Sequence, residues 1–239
     1  MTTRKGLSRE RGFVMMTMER VELEMERLLD ALQGEAQIDG AGPRANRDWL
    51  VRLWSLRWGL TLGARRRYLT LATLFDLAGH GALRNVVSRW ATDDESHERV
   101  AEAALWDLGA DAAELPLDAK LWGAYLDAIV VEQPWLTCGA MGAWEELAAT
   151  AIELGEQRAA RASRLLVTTF SDRASRWEEL TAALRGETLD ADEMKALVEG
   201  ISTARVMGLR MVRWALGRDE AEHPWCGRDF SRWAAGRFL

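Results

Sequence analysis

Apolar side chains recur every three or four residues along most of the chain, the spacing that places them on one face of an α-helix. The pattern is clear between Gly12 and Leu32, where an apolar residue returns at each turn. The same spacing predicts helices over 12–32, from Asn46 to the interruption at Gly63, and over 68–79, 94–108, 117–131, 136–154, 158–170, 172–184 and 191–216. No stretch shows the period of two that a half-buried strand requires. The pattern therefore predicts an all-α protein, a helical bundle of about seven to nine helices.

The connections between these helices are short, so we expect one domain over 1–239. Its parts are an N-terminal helix and loop (1–45), a bundle core (46–217) and a Trp-rich tail (218–239). Within the core, the apolar segment 68–79 is expected to be a central, buried helix. Thr92 or Asp93 is a candidate cap for helix 94–108, and Asp190 for the last long helix. The tail either packs back on the bundle or forms a subunit interface.

Composition narrows the class of protein. Apolar residues make up 48% of the chain, twelve residues are Trp, and the net charge is -6 with both signs interspersed. An acidic chain of this kind is a poor partner for nucleic acid, which needs a concentrated basic surface. No apolar run approaches the length of about 20 residues that crosses a bilayer, so we expect a cytoplasmic protein without membrane contact. Cys138 and Cys226 lack a CxxC spacing and are expected to be reduced thiols.

Two aspartates lie within apolar helical segments. Asp76 belongs to LTLATLFDLAGH and Asp127 to LWGAYLDAIVVEQ. An ionised carboxylate is costly to bury without a partner. One interpretation is a buried salt bridge to an arginine, the candidates being Arg52, Arg57, Arg84 and Arg205. The other is a pocket in which Asp76 and Asp127, together with Glu145, bind an amine or take a proton from it.

Histidines supply the remaining candidate chemistry. His97 follows acidic residues and is either a solvated capping group or a general acid/base tuned by Asp94 or Glu95. His80 lies four residues after Asp76, on the same helical face. We therefore predict a catalytic set of Asp76, Asp127, Glu145 and His97. The predicted substrate-binding set is His80, Arg84, Arg52 and Tyr125.

Two segments carry a family resemblance. The chain resembles the heme oxygenase-like helical superfamily in its helix order over 49–216 and in two segments, DDESHERVAEAALWDLGAD and VVEQPWLTCGAMGAWEELA. In its diiron branch, iron is held by glutamates and histidines, and His97 and Glu145 match the first two ligand positions. The later helix should carry His-x-x-x-Asp-x-x-His, but this chain has FSDRASRWEEL, without histidine. Since an incomplete ligand set binds iron weakly, we expect neither a metal nor another cofactor.

A scaffold of this kind without its histidines resembles the metal-independent, aziridine-forming (azabicycle-forming) proteins of azinomycin-type biosynthesis. The resemblance implies ring closure by an amine with loss of sulfate, and a role for aspartates that we assign to Asp76 and Asp127. It also implies a small-molecule substrate on an acidic carrier protein, and a partner subunit or a homodimer. Two other functions stay open: a diiron oxygenase with substituted ligands, and a non-catalytic helical subunit of a biosynthetic complex.

Overall fold

The computed structural model describes residues 4–36, 43–163 and 176–217, and every regular element in these ranges is an α-helix. The eight helices are α1 Arg4–Ala36, α2 Pro43–Thr61, α3 Ala64–Ala78, α4 Gly81–Asp107, α5 Leu117–Ile129, α6 Pro134–Ser163, α7 Arg176–Gly186 and α8 Ala191–Ala215. The prediction of an all-α bundle is confirmed, and eight helices lie within the predicted number. The predicted Trp-rich tail, with Cys226, lies outside the described residues.

Helices α6 and α8 form the most extensive pair in the bundle. Two glycines allow their backbones to approach closely. A Cβ atom at Gly139 would collide with the carbonyl group of Leu197, and one at Gly200 would collide with that of Leu136. Since only glycine lacks this atom, the crossing depends on both positions.

The other helices surround this pair. Helix α1 packs on α8 and α6, α2 lies against α4 and α6, and α7 bridges α4 and α6. The core between them is apolar and includes fully buried Trp90 and Trp122. None of the described helices combines the length and apolar character needed to span a membrane.

Helix α4 begins earlier than the sequence pattern predicted. It runs without interruption from Gly81 to Asp107, so a cap at Thr92 or Asp93 is wrong. The Thr92 hydroxyl donates to the carbonyl of Ser88 at 3.1 Å, within the same helix. Buried side chains continue at helical spacing through this region, and their packing outweighs the preference of Thr and Asp for helix ends.

Helix α3 is peripheral, which corrects the prediction of a central helix for 68–79. It packs mainly against α4 and leaves Leu69 and Leu77 largely exposed. Apolar composition did not distinguish an inward from an outward leucine. By contrast, the predicted cap of α8 is confirmed, because Asp190 accepts from the backbone N–H groups of Asp192 and Glu193 in a capping box.

Candidate functional site

Charged and polar side chains from five helices meet inside the bundle. We call the group the buried charge cluster; it consists of Arg57 from α2, Tyr68 from α3, Asp94 and His97 from α4, Glu145 from α6 and Arg176 from α7. Each residue lies on the inward face of its helix, three or four positions from buried apolar neighbours. The bundle core therefore positions these side chains from several directions.

Glu145 is the centre of the cluster and is only 7% exposed. Its Oε2 atom lies 2.8 Å from Arg57 Nη2 and 3.0 Å from Arg176 Nη1. Its Oε1 atom accepts a hydrogen bond from the Tyr68 hydroxyl at 2.9 Å. Burial and the neighbouring Glu145 raise the pKa of Tyr68 well above its usual value of 10, so the phenol keeps the proton it donates.

His97 accepts from both arginines. Its Nδ1 atom lies 2.7 Å from Arg57 Nη2 and 3.1 Å from Arg176 Nη2. A guanidinium group only donates, so Nδ1 serves as the acceptor in this geometry.

Arg176 is held by aromatic rings as well as by Glu145. Its Cζ atom lies 5.7 Å from the ring centre of Tyr68 and 5.6 Å from that of Trp90. The two rings meet edge to face at 5.6 Å. Cation–π attraction and the ion pair together fix the guanidinium at the start of α7.

Asp94 differs from Glu145 in its hydrogen bonding. Its side chain is 2% exposed, and its Oδ1 atom has no hydrogen-bond donor among the described residues. A buried carboxylate without a donor loses its hydration without compensation, which favours the protonated form.

The pKa values of the two carboxyl groups consequently shift in opposite directions. Burial, and then repulsion by Glu145, raise the pKa of Asp94 from 3.8 to about 6. Burial acts against ionisation of Glu145 as well, but Arg57 and Arg176 outweigh it and lower its pKa from 4.5 to about 2. Glu145 is thus a permanent anion, whereas Asp94 exchanges its proton near neutral pH. Such a pair is the arrangement from which enzymes derive separate acid–base and electrostatic roles.

The two aspartates favoured by the sequence do not join this cluster. Asp76 is 58% exposed and pairs with Arg84 at 3.0 Å, so its predicted place among buried apolar side chains is wrong. Asp127 is 35% exposed and lies 2.9 Å from both Arg66 and Arg67.

The predicted pocket shared by Asp76 and Asp127 is also wrong. Asp127 binds the N-terminal end of α3, whereas Asp76 lies about 14 Å further along that helix. Both carboxylates have arginine partners, which was the alternative interpretation.

The four residues predicted to bind substrate are distributed over the bundle. His80 Nδ1 lies 3.1 Å from Glu187 Oε2 at the junction of α3 and α4, and Arg84 extends from there to Asp76. Arg52 donates to the carbonyl of Trp214 at 3.0 Å, and Tyr125 is buried beside Trp122. These contacts do not bring the four residues together into one substrate site.

Comparisons of the chain with protein-family models, with curated proteins and with solved structures give no match. Within the described ranges, no group of three or more histidine, cysteine, aspartate or glutamate side chains is arranged to hold a metal ion.

Proposed function

We propose that the chain is a metal-independent acid–base enzyme in which Asp94 takes a proton from a reacting amine. The observation that carries the proposal is a buried carboxylate, Asp94, whose Oδ1 atom has no hydrogen-bond donor among the described residues and whose pKa is raised by burial to about 6. It lies in the same cluster as Glu145, which two arginines hold as an anion. A general base works best when its pKa lies near the working pH. Asp94 meets this condition. Asp76 is exposed and paired with Arg84 outside the buried charge cluster.

The reaction that we propose is the ring closure implied by the family resemblance. The amine nitrogen attacks a neighbouring carbon, the C–O bond to a sulfate ester breaks, and its electron pair leaves with sulfate. The N–H proton passes to Asp94, which returns it to solvent after the product departs. Orientation of the two reacting atoms supplies much of the acceleration, since the attack is intramolecular.

The test uses a series of β-amino alkyl sulfate esters and follows the release of inorganic sulfate. Asp94→Asn keeps the shape of the side chain but cannot accept the proton, so we expect a loss of about 10²–10⁴-fold in rate. Asp76→Asn is the matched control and should retain the full rate. Activity of Asp94→Asn equal to the wild type would exclude Asp94 as the base, and the absence of release from the whole series would exclude the ring closure.

A diiron oxygenase with substituted ligands is the alternative that uses the same residues. The contacts of Glu145 and His97 weigh against it, because two guanidinium groups already hold both side chains and would repel a metal cation. Metal analysis of the purified protein discriminates between the two, since stoichiometric iron would favour the oxygenase.

Exposed apolar side chains favour a second candidate function, that of a non-catalytic subunit. Trp106 is 84% exposed and Leu77 is 80% exposed, and large exposed apolar groups are common in protein interfaces. In that case Trp106→Ser should abolish activity of a complex that Asp94→Asn leaves intact. The reverse result would support catalysis by this chain.

A further inference from the structure

We propose that the outward side of α3 binds a second copy of this chain, with the two α3 helices packed antiparallel about a two-fold axis. We call this surface the α3 face; it consists of Arg66, Leu69, Thr70, Thr73, Asp76 and Leu77, which recur every three or four residues. The contact is independent of the reaction proposed above.

Helix α3 is covered on one side only. It packs mainly against α4, and Leu71 and Phe75 are buried beneath it. On the opposite side Leu69 is 49% exposed and Leu77 is 80% exposed, and the two lie on one stripe of the helix, eight residues apart. A second helix laid along this stripe would remove both leucines from water.

The threonines of the α3 face allow it to be buried without loss of a hydrogen bond. Thr73 Oγ1 donates to the carbonyl of Leu69 at 3.0 Å, and Thr70 Oγ1 donates to the carbonyl of Arg66 at 3.0 Å. Both hydroxyl protons are used within the helix, so covering the face leaves neither of them unpaired.

The charges at the two ends of the α3 face favour a second copy as the occupant. The side chain of Arg66, near the start of the helix, is 71% exposed, and that of Asp76, near its end, is 58% exposed. A surface that is basic at one end and acidic at the other matches itself when a copy is turned round, as in a two-fold dimer. A parallel copy would place like charges opposite each other.

The register that brings Arg66 of one copy opposite Asp76 of the other also pairs the remaining positions. It places Leu69 opposite Thr73 of the second copy, and Leu77 opposite the aliphatic stem of exposed Arg65. The apolar stripe is therefore covered by apolar atoms in the same arrangement that joins opposite charges.

The charged residues keep their partners within each copy. Asp76 lies 3.0 Å from Arg84, and Arg66 lies 2.9 Å from Asp127. Antiparallel packing would join these two exposed pairs into one row across the interface. Since exposed ion pairs contribute little affinity, we expect the charges to set the orientation and the leucines to supply most of the binding free energy.

The first experiment is sedimentation velocity of the full chain over about a hundredfold range of concentration. Helix α3 has 15 residues and is about 22 Å long, so the contact is small and the dimer should be weak and reversible. Leu77→Ser should raise the dimer dissociation constant at least about tenfold, because a large apolar side chain no longer becomes buried. Leu117→Ser is the matched control, since Leu117 is 65% exposed on α5, outside the α3 face, and its replacement should change nothing.

A second experiment tests the antiparallel orientation. Asp76→Arg makes both ends of the α3 face basic and should weaken the dimer. Addition of Arg66→Asp to this variant restores opposite charges across an antiparallel interface and should recover most of the lost affinity. The two positions lie about 15 Å apart along one helix, so the recovery cannot come from a contact within one copy.

Three results would overturn the proposal. A wild type that is monomeric at every concentration would leave the α3 face to a different partner. A dimer that Leu77→Ser and Leu117→Ser affect equally would lie on another surface. Absence of recovery in the double variant would exclude the antiparallel orientation. Both leucines are exposed, so their replacement should preserve the fold, which circular dichroism checks for each variant.

Discussion

Replacement of Asp94 by asparagine should stabilise the protein at neutral pH. The wild-type carboxylate is ionised at pH 7 in a site that favours its protonated form. A pKa raised from 3.8 to about 6 corresponds to about 3 kcal/mol of destabilisation at pH 7. The neutral amide of Asp94→Asn has the same shape without this penalty. For a chain of this size, 3 kcal/mol corresponds to a rise of about 6–12 °C in Tm.

The pH dependence has a definite sign. Between pH 6 and pH 4 the folded protein binds a proton at Asp94 that the unfolded chain does not, so this group increases the free energy of unfolding as the pH falls. This increase in the free energy of unfolding is complete below about pH 4. Asp94→Asn lacks this contribution, and the two proteins should therefore converge in stability as the pH approaches 4.

The assay is urea unfolding at pH 7, 6, 5 and 4, followed by tryptophan fluorescence. Asp118→Asn is the matched comparison, since Asp118 is equally buried but accepts from Arg210 Nε at 2.9 Å. Loss of that charge-assisted bond should destabilise by about 1.5–3 kcal/mol, a change of opposite sign. If Asp94→Asn were destabilised at pH 7, or were equally displaced from the wild type at every pH, the account of Asp94 as an uncompensated buried carboxylate would be wrong.

Three further substitutions examine the surroundings of Asp94. Glu145→Gln removes the carboxylate that two buried guanidinium groups share and should cost about 3–5 kcal/mol in urea unfolding at pH 7; a loss below 1 kcal/mol would contradict the central role of Glu145. His97→Asn keeps an acceptor near the position of Nδ1 and should be about 1–3 kcal/mol more stable than His97→Leu, so equal stabilities would refute the acceptor role. Gly200→Ala should cost about 3 kcal/mol or more in the same assay, whereas Gly123→Ala, with open space around its Cβ, should not destabilise; similar effects at both glycines would refute the close crossing of α6 and α8.

The helical architecture was predictable because it depends on the periodic spacing of apolar residues, which is visible in the sequence itself. The spacing of apolar residues identified most helices, and Asp190 marked the start of α8 correctly. The failures occurred where two local signals competed. Thr92 and Asp93 have the side chains of helix caps, yet the buried face on which Trp90 lies continues past them in α4. Tertiary packing decided the outcome, and packing partners cannot be read from local spacing.

The candidate site was only partly predictable. His97 and Glu145 were recognised, and the structure brings both into one cluster. Asp94 was considered only as a neighbour that tunes His97, although it follows buried Trp90 by four residues and so shares its inward face. That spacing was the available signal. The sequence carried no corresponding signal for Arg176, because its cation–π and ion-pair partners come from other helices distant in sequence.

Asp76 and Asp127 illustrate why apolar flanks alone do not identify a buried carboxylate. Both occur within apolar stretches, but α3 and α5 each retain an outward face that is wide enough for an exposed acid. The decisive property is position around the helix relative to buried neighbours. Judged by this criterion, Asp94 is the stronger candidate, since it lies in register with Trp90 and Val87.

The contrast between Glu145 and Asp94 separates a charge that supports the fold from one that the proposed function would use. Glu145 has two arginines and a phenol as partners, and its ionisation supports the fold. Asp94 is equally well enclosed, but its raised pKa predicts that it reduces stability at neutral pH, a cost that an asparagine of the same shape would avoid. A residue that destabilises the fold in this way is expected where its proton affinity is used, because enzymes place strained or poorly solvated acids where they react. If Asp94→Asn proves more stable and inactive, stability and activity trade off at one carboxylate. If it proves more stable and fully active, the reaction takes place elsewhere in the chain.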